Sequence, residues 1–97
     1  MESRKHKQIA EKLARLKGSE YHSDKGIDIR TKTQAIEVEV FAECLGHAKK
    51  QLAGTTRAPY IAVPKEIKKE ALESVKGTRF GLMTSSGVIV KRGRKKD

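Results

Sequence analysis

The sequence predicts an α/β fold, a mixed β-sheet flanked by helices in the element order αββαβαββ. Three observations carry this expectation. Residues 26–31 and 35–41 alternate apolar and polar side chains, the period-two pattern of half-buried strands. Three other segments repeat apolar residues at helical spacing, and a glycine closes each one. Between the second and third of these lies Ala58 to Val63, a short, mostly apolar run that suits a buried strand. A strand–helix–strand unit over residues 35–63 is a right-handed crossover, which makes its two strands parallel.

The first helix is expected over residues 4–17, with Ile9, Leu13 and Leu16 on its apolar side and Gly18 at its end. Residues 19–25 are polar and loop-like. In the first alternating run Ile27 and Ile29 oppose Asp28 and Arg30; in the second, Ile36, Val38 and Val40 oppose Glu37 and Glu39. The two runs form a hairpin across Thr31 to Gln34. A Lys32–Thr33 loop sets Asp28 across from Glu37, and a Thr33–Gln34 loop sets it across from Glu39. Either register gathers the three carboxylates on one face, within roughly 5–8 Å at their Cβ atoms. Neither loop has the Asn-Gly chemistry of the favoured two-residue turns.

Phe41, Cys44, Leu45, Ala48 and Leu52 mark the second helix, ended by Gly54. Pro64 suits the first turn of the third, whose inner side is Ile67, Ala71, Leu72 and Val75 and whose end is Gly77. Phe80 to Met83 and Val88 to Val90 then pair as a hairpin around Thr84 to Gly87. Residues 1–91 are expected to form one domain, with 92–97 as a basic flexible tail.

Charge is the second strong signal. The 97 residues include 22 Lys and Arg against 12 Asp and Glu, a formal net charge of +10. An excess of one sign on so short a chain suits a polyanion, bound by phosphate neutralisation and counterion release. Arg4, Lys5 and Lys7 lie near the start, and Lys91, Arg92, Arg94, Lys95 and Lys96 near the end; Lys25 and Lys50 join them as expected nucleic-acid contacts. With no Trp, two Tyr and two Phe, base-stacking platforms for single strands are not expected. The reading is of a duplex held by its backbone. A single cysteine, Cys44, excludes an internal disulfide framework and fits a reducing compartment. No signal peptide and no membrane-length apolar run is read, so the chain is expected in the cytoplasm without a membrane partner.

Acids at strand centres ask for an explanation, because like charges held close repel unless something positive lies between them. One Asp and a Glu-x-Glu on adjacent strands offer oxygen ligands from two directions, as Mg²⁺ or Mn²⁺ requires. Such an ion binds a scissile phosphate and lowers the pKa of an attacking water. In a basic chain, carboxylates beside phosphate-binding lysines make sense chiefly through a metal.

These residues resemble a family. Gly26-Ile27-Asp28-Ile29, a short turn, then Ile36-Glu37-Val38-Glu39-Val40 is similar to the core motif of the PD-(D/E)xK nuclease superfamily, the restriction-endonuclease-like fold. The helix with His47-Ala48-Lys49-Lys50-Gln51-Leu52, the Tyr60-Ile61-Ala62-Val63-Pro64 strand, a further helix and the Phe80-Gly81-Leu82-Met83 strand follow in the order of the archaeal Holliday-junction-resolvase and Mrr-like branches. The likeness spans roughly residues 5–91. It implies Asp28 and Glu37 as metal ligands, with Glu39 standing where the motif Lys sits and serving as ligand or water-activating group. It also implies Gln51 as a polar support of the site and Lys49, Lys50 or Lys25 as sources of the displaced positive charge. The resulting expectation is a Mg²⁺- or Mn²⁺-dependent DNA endonuclease, acting as a homodimer, with branched or structured DNA as its candidate substrate. The competing expectation is a DNA-binding relative of the same fold without turnover.

Overall fold

The computed structural model describes residues 4–21 and 27–95. Helix α1 (Arg4–Leu16) is followed by strands β1 (Ile29–Arg30) and β2 (Gln34–Val38). A 3₁₀ turn over Ala42–Cys44 leads into α2 (Leu45–Leu52), then β3 (Ala58–Val63). A second 3₁₀ turn, Lys65–Ile67, leads into α3 (Lys68–Val75), and β4 (Gly81–Thr84) and β5 (Ile89–Lys91) complete the chain. The strands form one sheet in the order β1-β2-β3-β4-β5. β2, β3 and β4 are parallel, and each edge strand is antiparallel to its neighbour. The expected α/β class and mixed sheet are therefore present.

Helices cover both faces. Ala10, Leu13 and Ala14 of α1 pack on Ile29, Ile36, Val38, Tyr60, Ala62 and Met83. On the other face, Leu45, Ala48 and Leu52 of α2 and Ala71 and Val75 of α3 pack on Ala35, Ile61, Val63 and Leu82. This changes the meaning of the alternation in β2. A half-buried strand would place Glu37 and Glu39 in water; instead every residue from Ala35 to Glu39 is buried, as in sheets covered on both sides.

Of the two hairpin registers, the structure takes the Lys32–Thr33 loop: Ile29 pairs with Ile36 and Arg30 with Ala35. Thr31 replaces the missing Asn-Gly chemistry. Its backbone N–H donates to the Gln34 carbonyl (2.9 Å), and its hydroxyl accepts from the Thr33 and Gln34 amides at 3.3 and 2.9 Å. No described non-glycine residue has positive φ, so this is not the primed turn that Asn-Gly would make.

Several expectations are corrected. The first strand is only two residues long; Gly26 lies outside the described residues, and the chain bends at Asp28. Ile27 consequently leaves the alternation and packs with the α2–α3 side, away from Ile29. Leu16, Phe41 and Leu72 were assigned to apolar helix sides but are 60%, 53% and 39% exposed. The small side chains Ala10, Ala14 and Ala71 bring the helices close to the sheet, and these larger ones fall at the margins of the contact.

The basic segment after β5 is packed at its start, where a loose tail was expected. Gly93 is buried against Gly81, the Pro59 carbonyl and the Tyr60 ring, so neither glycine has room for a Cβ. The Arg94 amide donates to the Arg79 carbonyl at 2.9 Å, and Arg79 Nη1 returns a bond to the Arg94 carbonyl at 3.2 Å. Arg79 Nη2 also reaches the Ala53 and Thr55 carbonyls, both at 3.1 Å, and so caps the end of α2. We expect Gly93→Ala to cost about 1–3 kcal/mol by overpacking and to lower Tm by roughly 5 °C or more in thermal denaturation. Gly54→Ala, where a Cβ meets open space, is the control; equal Tm values for the two variants would contradict the packing described.

Candidate functional site: a buried acidic cluster at one edge of the sheet

The three parallel strands end at the same edge, and β2 carries Glu37 and Glu39 towards it. Because β1 runs antiparallel to β2, Asp28, just before β1, arrives at that edge too. Asp28, Glu37 and Glu39 are 8%, 4% and 9% exposed, the only buried carboxylates among the described residues.

Asp28 and Glu37 clasp each other's backbone. The Asp28 amide donates to Glu37 Oε1 at 2.8 Å, and the Val38 amide donates to Asp28 Oδ2 at 2.9 Å. The bend that removes Asp28 from the regular ladder thus leaves its own N–H and that of Val38 satisfied by side chains. From α1, His6 Nε2 lies 3.3 Å from Asp28 Oδ2. The other ring nitrogen of His6, Nδ1, lies 3.4 Å from the Tyr21 hydroxyl. Tyr21 is itself held by a bridge to Ile29.

Burial dominates the electrostatics. It pushes Glu37 up to about 8, with the Asp28 and Glu39 charges adding to the shift and the Asp28 amide and His6 opposing it. Glu39 is pushed up to about 7 by burial, against the pull of His6 and with a further rise from Asp28. At neutral pH the cluster therefore holds protons that free carboxylates would have lost.

A hard divalent cation matches this donor chemistry. It prefers carboxylate oxygens, and its charge would relieve the repulsion that raises these pKa values. Asp28 and Glu37 each engage one oxygen with a backbone amide and keep a second. Among the described residues, no three His, Cys, Asp or Glu side chains stand in a ready-made metal-holding arrangement.

The other expected site residues lie elsewhere. Lys49 Nζ donates to the Ser74 carbonyl in the last turn of α3 at 3.1 Å. Gln51 Nε2 lies 3.4 Å from His47 Nε2, one turn away on the same helix. Both sit in the second half of α2, which leads away from the carboxylate edge towards the start of β3. Neither makes a hydrogen bond to the three acids. Lys91 donates to the Thr78 carbonyl at 2.8 Å and to the Phe80 carbonyl, and burial, with the Arg94 charge, lowers its pKa. It ties β5 to the loop before β4. Lys5 pairs with Glu66 at 3.3 Å across the exposed edge. Arg4, Lys7, Lys50, Arg92, Arg94 and Lys95 are exposed, and Lys25 and Lys96 lie outside the described residues.

His6 is the site residue that the sequence reading missed. Its signal was present, since His6, Ala10 and Leu13 share one helical face at spacings of four and three. An ionisable group at the head of an apolar stripe is carried to the sheet along with that stripe.

Fold and site define a class: an α/β protein with a mixed five-stranded sheet and a buried acidic cluster at the edge where its parallel strands end. Comparison with known proteins finds no matching family model, no matching curated protein and no matching solved structure. Among the described residues, no helix is long and apolar enough to cross a membrane.

Proposed function

We propose that this chain is a restriction-endonuclease-like, Mg²⁺- or Mn²⁺-dependent phosphodiesterase acting on DNA in the cytoplasm. The observation that carries the reading is the burial of Asp28, Glu37 and Glu39 together in a chain of net charge +10. Without a cation between them, ionised acids at that edge would repel a phosphate backbone that the rest of the surface attracts. Asp28 and Glu37 would hold the ion, which supplies Lewis acidity and a more acidic bound water. Glu39, at the same edge, would serve as a further ligand or as the group that accepts a proton from the attacking water. His6, beside Asp28 Oδ2, fixes the orientation of that carboxylate. A domain of this size covers little of a duplex, so a homodimer with two sites would suit paired cuts on a branched substrate.

One observation favours a second reading, a DNA-binding protein of this fold without turnover. Glu39 stands where the resembled motif has a lysine, and Lys49, a candidate replacement, is engaged at Ser74. The test is cleavage of plasmid, single-stranded and four-way-junction DNA with Mg²⁺ or Mn²⁺, against EDTA controls. Metal-dependent nicking supports the enzyme. Tight, salt-sensitive binding with no cleavage under any condition supports the second reading.

A further inference from the structure

A second charged feature lies at the opposite end of the sheet. The β1–β2 turn, the end of α1 and the residue before β3 enclose a basin of about 750 Å³. Four cations line it, Lys17, Arg30, Lys32 and Arg57, together with the polar residues Ser19 and Thr31, and no carboxylate does. None of the four cations stands in an ion pair among the described residues. Four positive charges in one concavity without a counter-charge raise the energy of the free protein, and an anion would lower it.

A second, independent observation points the same way. Arg57 Nε is buried and has no hydrogen-bond partner, the only such side-chain atom among the described residues. A buried N–H left unpaired costs about 1–3 kcal/mol, so an acceptor entering there recovers a real penalty. The guanidinium is also suited to the tetrahedral oxygens of a phosphate. The local fold supports the concavity: Ser19 Oγ donates to the Arg30 carbonyl at 2.6 Å, and the Ala58 amide donates to the Thr33 carbonyl at 2.9 Å. These bonds tie the end of α1 and the start of β3 to the hairpin.

We propose that this basin is a phosphate-binding subsite, formed by Lys17, Arg30, Lys32 and Arg57, that grips the DNA backbone at a distance from the carboxylates. Gln34 lines the basin and Glu39 belongs to the acidic cluster. The five residue steps from one to the other correspond to roughly 17 Å of strand. That is about five base-pair rises of duplex, so a single DNA segment spans both places. The subsite rests on the reading of the chain as DNA-binding, but not on its turnover.

The experiment measures binding of a short duplex by fluorescence anisotropy in EDTA over a range of salt concentrations. The pocket variant is Lys32→Gln with Arg57→Gln. The control is Lys69→Gln with Lys76→Gln, an equal loss of charge on exposed residues of α3 and its end. The pocket pair is expected to weaken binding about tenfold or more, equally for unrelated sequences, and to reduce the salt slope by nearly two units. The control should keep the wild-type slope. Lys17→Gln with Lys32→Gln repeats the test without touching the partly buried Arg57, so a folding defect cannot decide it. Equal losses in pocket and control variants would overturn the subsite. So would displacement of the duplex by millimolar inorganic phosphate at fixed ionic strength, which would assign the basin to a free anion. Because EDTA removes cleavage from the measurement, failure of the nuclease reading leaves the result interpretable.

Discussion

If the chain cleaves DNA as proposed, Asp28→Asn and Glu37→Gln are each expected to lower metal-dependent cleavage by about 10²–10³-fold or more, measured as initial rate of plasmid nicking. The expected size is that of losing a group that places charge directly at the reacting phosphate. The amide variants are more informative than alanine here. Asp28 Oδ2 accepts the Val38 amide and Glu37 Oε1 accepts the Asp28 amide, and an amide oxygen can still accept both bonds. Alanine would leave a buried backbone N–H unpaired, at about 1–3 kcal/mol each, and mix a folding defect with a catalytic one. His6→Ala should cost less, about tenfold, because His6 acts through the Asp28 carboxylate it orients. Glu39→Gln separates the roles within the cluster: losing a proton acceptor for water flattens the acidic limb of the pH–rate profile, whereas losing a simple ligand would be compensated by raising Mn²⁺. Wild-type cleavage rates in both the Asp28 and Glu37 variants would remove these residues from the mechanism.

Much of this architecture was legible in the sequence, for reasons that differ from element to element. Parity was the strongest clue. With Ile36 and Val38 committed to one face, an even hairpin loop had to bring Asp28 opposite Glu37 or Glu39, and the observed register takes the first. What alternation left open was whether the polar face is wet, because that depends on α2 and α3 arriving from distant sequence to cover it. The helix ends at Gly18 and Gly77 were readable because both adopt positive φ, 65° and 76°. Lys49 and Gln51 were placed near the site by likeness to a motif, and the connection from β2 through α2 to β3 carries them away from it. His6 and the Lys17–Arg57 basin were harder to read. Each joins residues far apart in the chain, and among 22 basic residues no local pattern marks the few that converge.

The metal-free protein should lose stability as pH rises from about 4.5 to 8, the reverse of the usual behaviour of surface carboxylates. Glu37 ordinarily titrates at 4.5 and is pushed up to about 8 in the folded chain, and Glu39 from 4.5 to about 7. Below about 4.5 both are protonated whether folded or unfolded, and neither penalises folding. Above that the unfolded chain gives up protons that the folded chain retains, so stability falls until the folded groups ionise too. The loss is on the order of a few kcal/mol, not the sum of two independent shifts, because the two acids share one neighbourhood with Asp28. Glu37→Gln removes the largest contribution, so the variant should be more stable than wild type at pH 8 in EDTA and nearly equal at pH 5. On the proposed metal-binding reading, Mn²⁺ should reverse the trend, since it would bind the ionised form and its stabilisation would grow with pH. Urea unfolding from pH 5 to 9, with EDTA and with Mn²⁺, reads both effects. A wild-type stability that stays level or rises over this range in EDTA would mean that the cluster is solvated and needs no cation between its carboxylates.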